Sequence, residues 1–360
     1  MLNILWQFLF FTLYFAAFSE ARHLYVHRHC KEELNSAFLK MTTINASEID
    51  ENTPGIQIKQ VTEPYGLSEG PHWDPKTQKL YFVDIFGQKI RRLDPASGSV
   101  TSTYIENGPV GVAIPVQDEP NKFVAGSGTD FVLVTWEDQL TQDKASTRVL
   151  ATVDKDRNET RWNDGKADSS GRFWGGTMGP EVNGNAVPNQ GTFYRIGPHS
   201  DVKVEITPVT ISNGLAWNKE DDLFYYIDSA TYQVAVFDYD SHNGTISNKR
   251  IAFDLKKNNI TGIPDGMAID TNGNLWIAVY MGSRVLNVNP RTGKLICSVK
   301  IPAERVTSVA FGGSRLDVMY VTTSSYGLSE AEKKNQPKAG SVFSVEGLNV
   351  NGLLANNFKL

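Results

Sequence analysis

From about residue 57 to residue 347 the chain alternates short apolar runs with clusters of Asp, Asn, Gly and Pro. No stretch there sustains the 3.6-residue apolar period of an amphipathic helix. The runs are rich in Val, Ile, Tyr, Phe and Trp, as in Leu80-Tyr-Phe-Val-Asp, Leu223-Phe-Tyr-Tyr-Ile-Asp, Leu275-Trp-Ile-Ala-Val-Tyr and Met319-Tyr-Val-Thr-Thr. Such runs, bounded by turn formers, predict β-strands.

The strands fall inside a repeat. Ser68-Glu-Gly-Pro-His-Trp-Asp leads into Leu80-Tyr-Phe-Val-Asp, just as Ser212-Asn-Gly-Leu-Ala-Trp-Asn leads into Leu223-Phe-Tyr-Tyr-Ile-Asp. Pro264-Asp-Gly-Met-Ala-Ile-Asp stands in the same relation to Leu275-Trp-Ile-Ala. Weaker copies start near Val110-Gly111, Asp164-Gly165 and Ser308-Val309, which gives six units spaced 41 to 54 residues apart. A four-stranded sheet cannot bury both faces alone, so repeats of this length pack against one another around an axis. The expected fold is all-β, a six-bladed β-propeller spanning residues 57–360.

Equivalent positions in a propeller are related by rotation about that axis. Residues at one end of each innermost strand therefore converge at the channel mouth. The converging position holds Glu69, Asn213 and Asp265, each followed by Gly. Taken singly, Glu-Gly, Asn-Gly and Asp-Gly are ordinary turns. At matching repeat positions they bring two anionic side chains and an amide into one narrow channel. A hard divalent cation relieves that repulsion, and oxygen donors suit calcium, magnesium or manganese. The expectation is a central-channel metal site with water in the remaining positions.

Charge narrows the possibilities further. The formal net charge is −5 and no Lys or Arg cluster stands out, so nucleic acid is not an expected partner. Leu2 to Phe18 is apolar except for Asn3, Gln7 and Thr12, and Ser19-Glu20-Ala21 offers a small-x-small cleavage site. Residues 1–21 read as an export signal and the protein as secreted; the alternative is an uncleaved anchor. Residues 22–56 read as a linker or an arm on the domain. Their tract His23, His27, His29, Cys30 completes no defined metal site. The chain's two cysteines, Cys30 and Cys297, leave one bridge or two thiols open. Sequons at Asn45, Asn158, Asn243 and Asn259 are compatible with secretion without arguing for it.

At Leu67-Ser-Glu-Gly-Pro-His-Trp, Arg161-Trp-Asn-Asp-Gly-Lys, Gly175-Gly-Thr-Met, Ile211-Ser-Asn-Gly-Leu-Ala-Trp and Ile263-Pro-Asp-Gly-Met the chain resembles the gluconolactonase, regucalcin and luciferin-regenerating enzyme family. The resemblance implies a metal held by Glu69, Asn213 and Asp265, the residues the repeat had already singled out. It also implies substrate contacts from Arg161, Asn163 and Glu181, and a small-molecule lactone or sugar-acid ligand. One divalent ion (calcium, zinc, manganese or magnesium) is the expected cofactor. The regucalcin branch is intracellular, whereas this chain starts with an apparent export signal. The segment from Pro180 to Gln190, rich in Asn, Gly and Pro, reads as a loop over the channel mouth.

Lactone hydrolysis is attack of water on a carbonyl, and Asp265 is the candidate to ligate the ion and accept the proton. Two rival readings are a calcium-binding protein without turnover and a secreted interaction module. The latter calls for a large exposed apolar patch. Two further motif matches fail on context. Gly66-Leu-Ser68-Glu-Gly70 fits a serine hydrolase elbow, but no helix is expected after it. Asp270-Thr-Asn272-Gly-Asn274 starts like an EF-hand loop, but Leu275 stands where that loop needs Gly, and no helices flank it.

Overall fold

A computed structural model describes residues 46–137, 140–141, 144–157 and 159–360. The expected export signal, the His23, His27, His29 and Cys30 tract, and the Asn45 and Asn158 sequons lie outside the described residues.

Six blades follow one another along the chain: five sheets of four antiparallel strands, and a fifth blade whose four-stranded meander gains a parallel strand from the N-terminal side. Their first strands are Ser68–Asp74, Val110–Val116, Arg161–Ala167, Ser212–Trp217, Ile263–Ile269 and Val306–Gly312. Each first strand touches the first strands of both neighbouring sheets, and the sixth touches the first, so they close a ring around an axis. The protein is a six-bladed β-propeller. The strands predicted at Leu223–Asp228 and Leu275–Tyr280 have those bounds, and the first expected run begins one residue earlier, at Lys79–Asp84.

Those second strands are apolar at nearly every position because neighbouring blades cover both of their faces. Leu80, Tyr81, Phe82 and Val83 are all buried. The core accordingly consists of one apolar cluster in each seam between blades. Trp162 and Phe173 of blade 3 pack on Phe131 of blade 2, and Trp174 packs on Phe224 of blade 4. Burial of such aromatic side chains stabilises each seam.

The ring is closed by strand exchange. Gln57–Gln60 forms the outer strand of blade 6, pairing antiparallel with Phe343–Glu346. Just before it, Ser47–Ile49 pairs in parallel with Lys294–Lys300 of blade 5. Cys297 is buried in that last strand.

Two mouths follow from the strand direction. First strands begin at the upper mouth, and the turns between second and third strands lie at the same end. Under the lower mouth runs a feature the sequence did not announce, a C-terminal strap. Leu353 N–H donates to Ile269 O at 3.1 Å, Phe358 N–H to Pro115 O at 3.0 Å, and Lys359 N–H to Gly171 O at 2.8 Å. The strap thus ties blades 5, 2 and 3 together. A short helix, Glu330–Asn335, carries a Ser329–Glu332 capping box. Among the described residues no helix is long and apolar enough to cross a membrane.

Candidate metal centre and active site

Glu69, Asn213 and Asp265 all lie near the upper start of a first strand, in blades 1, 4 and 5, and all are buried. At each position the pairing with the second strand slips, between Glu69 and His72, Ser212 and Leu215, and Pro264 and Met267. A bulge of this kind re-aims side chains locally. Blade 3 has the same slip between Trp162 and Gly165, at Asn163 and Asp164.

The glycines that follow have a steric role. A Cβ on Gly214 would stand 2.7 Å from Asp265 O, and one on Gly266 would stand 2.8 Å from Ser308 Cα. Both neighbours belong to the next blade. Only glycine lets the first strands approach this closely near the axis.

The electrostatics match the chemistry of the donors. Burial holds the Glu69 carboxyl well above its ordinary range, and the nearby Asp265 and Asp164 push it further. Burial and then Asp164 do the same to Asp265, against hydrogen bonds from Asn213 and Gly266 and the charge of Arg161. Buried like charges cannot all ionise without a counter-charge. Asn213 Nδ2 donates to Ser229 Oγ at 2.9 Å, and Ser229 Oγ donates to Pro264 O at 2.7 Å. This chain fixes the amide and leaves Asn213 Oδ1 buried without a protein partner. An orphaned amide oxygen beside two carboxyls that ionise only with a counter-charge fits a hard cation. Among the described residues no three His, Cys, Asp or Glu side chains form a metal-holding cluster. The candidate set is two carboxylates and one amide, so it needs the asparagine.

The expected substrate residues sit above this level. Arg161 is half-buried at the start of the blade 3 first strand. Its guanidinium is pushed below its ordinary range by burial and pulled back by Glu181, Glu69, Tyr326 and Asp265, in that order. Its Nη1 donates to Asn163 Oδ1 at 2.8 Å, and Asn163 Nδ2 donates to Ser212 O at 2.8 Å. Asn163 is therefore first of all a bracket that aims Arg161. The expected loop after Pro180 is a small hairpin, Glu181–Val182 with Asn185–Ala186, and Glu181 is exposed on it. Arg161, Glu181, Phe86 and Tyr326 line one cavity of about 530 Å³ at the upper mouth.

Sequence reasoning missed three groups. Asp164 is buried, with Oδ1 accepting from Gly165 N–H at 2.7 Å and Oδ2 left without a partner. Its Asp-Gly pair was visible only as a weak repeat copy. Lys166 donates to Met267 O across the channel, and Asp164 and Glu69 oppose the downward shift that burial imposes on it. Ser229, which holds Asn213, had no sequence signal beyond following Asp228. Below, a cavity of about 300 Å³ runs past Asp164, Lys166 and His72 to the strap.

The two rejected motifs have plain structural roles. Ser68 is fully buried in a strand with its hydroxyl donating to Gly340 O at 2.9 Å. Asp270 caps a hairpin turn, accepting from Asn272 and Asn274 N–H, each at 2.9 Å, and from Trp276 Nε1 at 3.0 Å.

Residues 67–325 match the model of the SMP-30/Gluconolactonase/LRE-like region. Regucalcin of Xenopus laevis is 41% identical over 300 residues, covering 83% of this chain and 96% of that one. Regucalcin of Homo sapiens is 40% identical over 286 residues, covering 79% and 92%. Among solved structures, a luciferin-regenerating enzyme superposes with a TM-score of 0.80 at 35% identity, covering 85% of this chain and all of that one. A calcium-binding protein, regucalcin, from Agrobacterium tumefaciens shares the fold, with a TM-score of 0.78 at 21% identity over 88% of this chain and 100% of that one.

Proposed function

This chain belongs to the SMP-30/gluconolactonase/LRE-like family, and on that footing we propose that it is a metal-dependent hydrolase of small lactones. The family supports a lactonase-like or calcium-binding role at the coarse level. The finer reading rests on one observation: Arg161, which lines the upper-mouth cavity with Glu181, is held within the electrostatic reach of both Glu69 and Asp265. An ion bound only for calcium storage or for structure has no use for it.

Glu69, Asn213 Oδ1 and Asp265 would hold the ion. When bound, a divalent cation polarises a carbonyl and acidifies water. Asp265 takes the proton from the attacking water at its carboxylate, which the start of the blade 5 first strand brings to the axis. Arg161, aimed by Asn163, presents guanidinium N–H donors to the ring oxygen or hydroxyls of the lactone. Glu181 accepts from hydroxyls on the outer side. Arg161 and Glu181 line the upper-mouth cavity, which makes the upper mouth the route for substrate in this reading.

The test is hydrolysis of D-glucono-δ-lactone by metal-free protein, then with calcium, magnesium, manganese or zinc restored. Turnover that appears with metal and is lost in Asp265→Ala supports the reading. Metal binding lost in that variant with no turnover of any lactone points to the calcium-binding alternative.

A further inference from the structure

The wall of the upper mouth beside Arg161 is aromatic, and its construction points to the kind of lactone it takes. The Phe86 and Tyr326 rings stack at 4.2 Å with 26° between their planes, and the Arg161 guanidinium lies 5.5 Å from the Phe86 ring centre. Both rings remain open, Phe86 with 36% and Tyr326 with 42% of its surface exposed. They come from neighbouring blades, on the upper turns of blades 1 and 6. Single exposed apolar side chains are ordinary on a protein surface, but here two aromatic rings stack on each other at the rim of the cavity that holds Arg161 and Glu181.

The stack is held in place. Ser325 N–H donates to Gly66 O at 2.9 Å and Ser325 Oγ to Tyr65 O at 2.8 Å, which ties the Tyr326 loop to the segment entering blade 1; Ile85 N–H, at the start of the Phe86 turn, donates to Leu67 O of that same segment at 2.9 Å. Arg305 Nη1 donates to Tyr326 O. A platform fixed before the ligand arrives loses little entropy on binding.

Two polar side chains of the same cavity are already committed inside the protein. Asn107 donates to Asp130 Oδ2 at 3.2 Å and accepts from Thr147 Oγ1 at 3.1 Å, and Thr160 Oγ1 donates to Arg157 O at 2.8 Å. Gly108, Gly128 and Gly179 of the same lining bring no side chain, and Pro109 and Pro180 bring only apolar ones. A hydroxylated ring finds Arg161, Glu181 and Glu159 here, and a flat apolar ring finds in addition the outer, uncovered surface of the Phe86–Tyr326 stack. Two other upper loops of the ring also expose an apolar side chain, Val182 and Met281.

We propose that Phe86 and Tyr326 form a specificity subsite for an aromatic or otherwise planar apolar ring carried on the lactone. The proposal rests on the lactone-hydrolase reading for its reaction but not for its binding site. The chemistry at the ester is unchanged: water adds to the carbonyl, the ring C–O bond breaks, and the alkoxide leaves with a proton as a hydroxy acid.

The test pairs 3-isochromanone, a benzo-fused δ-lactone, with δ-valerolactone. Both have an alkyl leaving oxygen, so their intrinsic reactivities are close. The stack predicts kcat/KM about tenfold higher for the fused lactone, from the range expected of aromatic pairs. Phe86→Ala and Tyr326→Ala each remove most of that preference, Tyr326→Phe keeps it, and metal affinity stays at the wild-type value in all three. Equal kcat/KM for the two lactones, or equal losses on both in the alanine variants, overturns the proposal. Should no lactone be turned over, the hydrolase reading fails, and calorimetric binding of the benzo-fused and unfused δ-lactams decides the subsite. A fused-ring preference lost in Tyr326→Ala upholds it, and no preference ends it.

Discussion

Asn213 illustrates how much of this site depends on single atoms. One end of its amide is tied to Ser229 and the other, Oδ1, is buried with nothing to bond. A supporting hydrogen bond of this type typically governs metal affinity by about 10–100-fold. Ser229→Ala is therefore expected to weaken metal binding by about that factor without unfolding the chain, as read by calorimetric titration beside a thermal melt. Glu69 and Asp265 extend the argument to pH. Their carboxyls are raised in the metal-free fold, chiefly by burial, so each stabilises that fold while protonated. That contribution is lost as pH rises through the raised folded values. Metal-free protein should then melt progressively lower as pH rises from about 4, the ordinary carboxylate value, toward 8, and Asp265→Asn should reduce the difference. A melt independent of pH across that window would contradict the assignment. Glu69, Asn213 and Asp265 could be picked from sequence because the repeat aligns them, each before a glycine. Ser229 could not, because its contact with Asn213 depends on a turn that folds back 16 residues later.

Strands were legible because their apolar runs have two buried faces and so need no alternation. The bulges that aim the functional side chains were not, since a one-residue slip in pairing leaves no mark in hydropathy. In blade 3 the ladder slips across both Asn163 and Asp164, and their different roles show only in the bonds they make, to Arg161 and to Gly165. The glycines test the element directly. Gly266 lies against the backbone of Ser308 in the next blade, where a methyl group has no room. Gly266→Ala is expected to destabilise the protein by about 1–3 kcal/mol, the usual cost of overpacking, measured by denaturant unfolding.

The propeller as a whole was readable from repeat spacing, but its closure was not. Gln57–Gln60 completes blade 6 from the far end of the chain, and the strap after residue 347 ends beneath blades 2 and 3. Neither segment belongs to a complete repeat, so periodicity says nothing about where it docks. Phe358 fastens the strap: it is fully buried and meets Phe131 edge-on at 5.7 Å. Phe358→Ala is expected to cost about 3–5 kcal/mol of stability, as for other buried Phe truncations. A loss below 1 kcal/mol would mean that the strap is not part of the cooperative fold.

The central claim is that one divalent cation sits on the axis between Glu69, Asn213 and Asp265. Calorimetric titration of metal-free protein with calcium and with zinc tests it most directly. The expected result is one ion per chain, affinity that falls as pH is lowered because the raised carboxyls must ionise to bind, and binding lost in Asp265→Ala and Asn213→Ala. Binding of the same strength in both variants, or no binding to the folded wild-type chain, would contradict it.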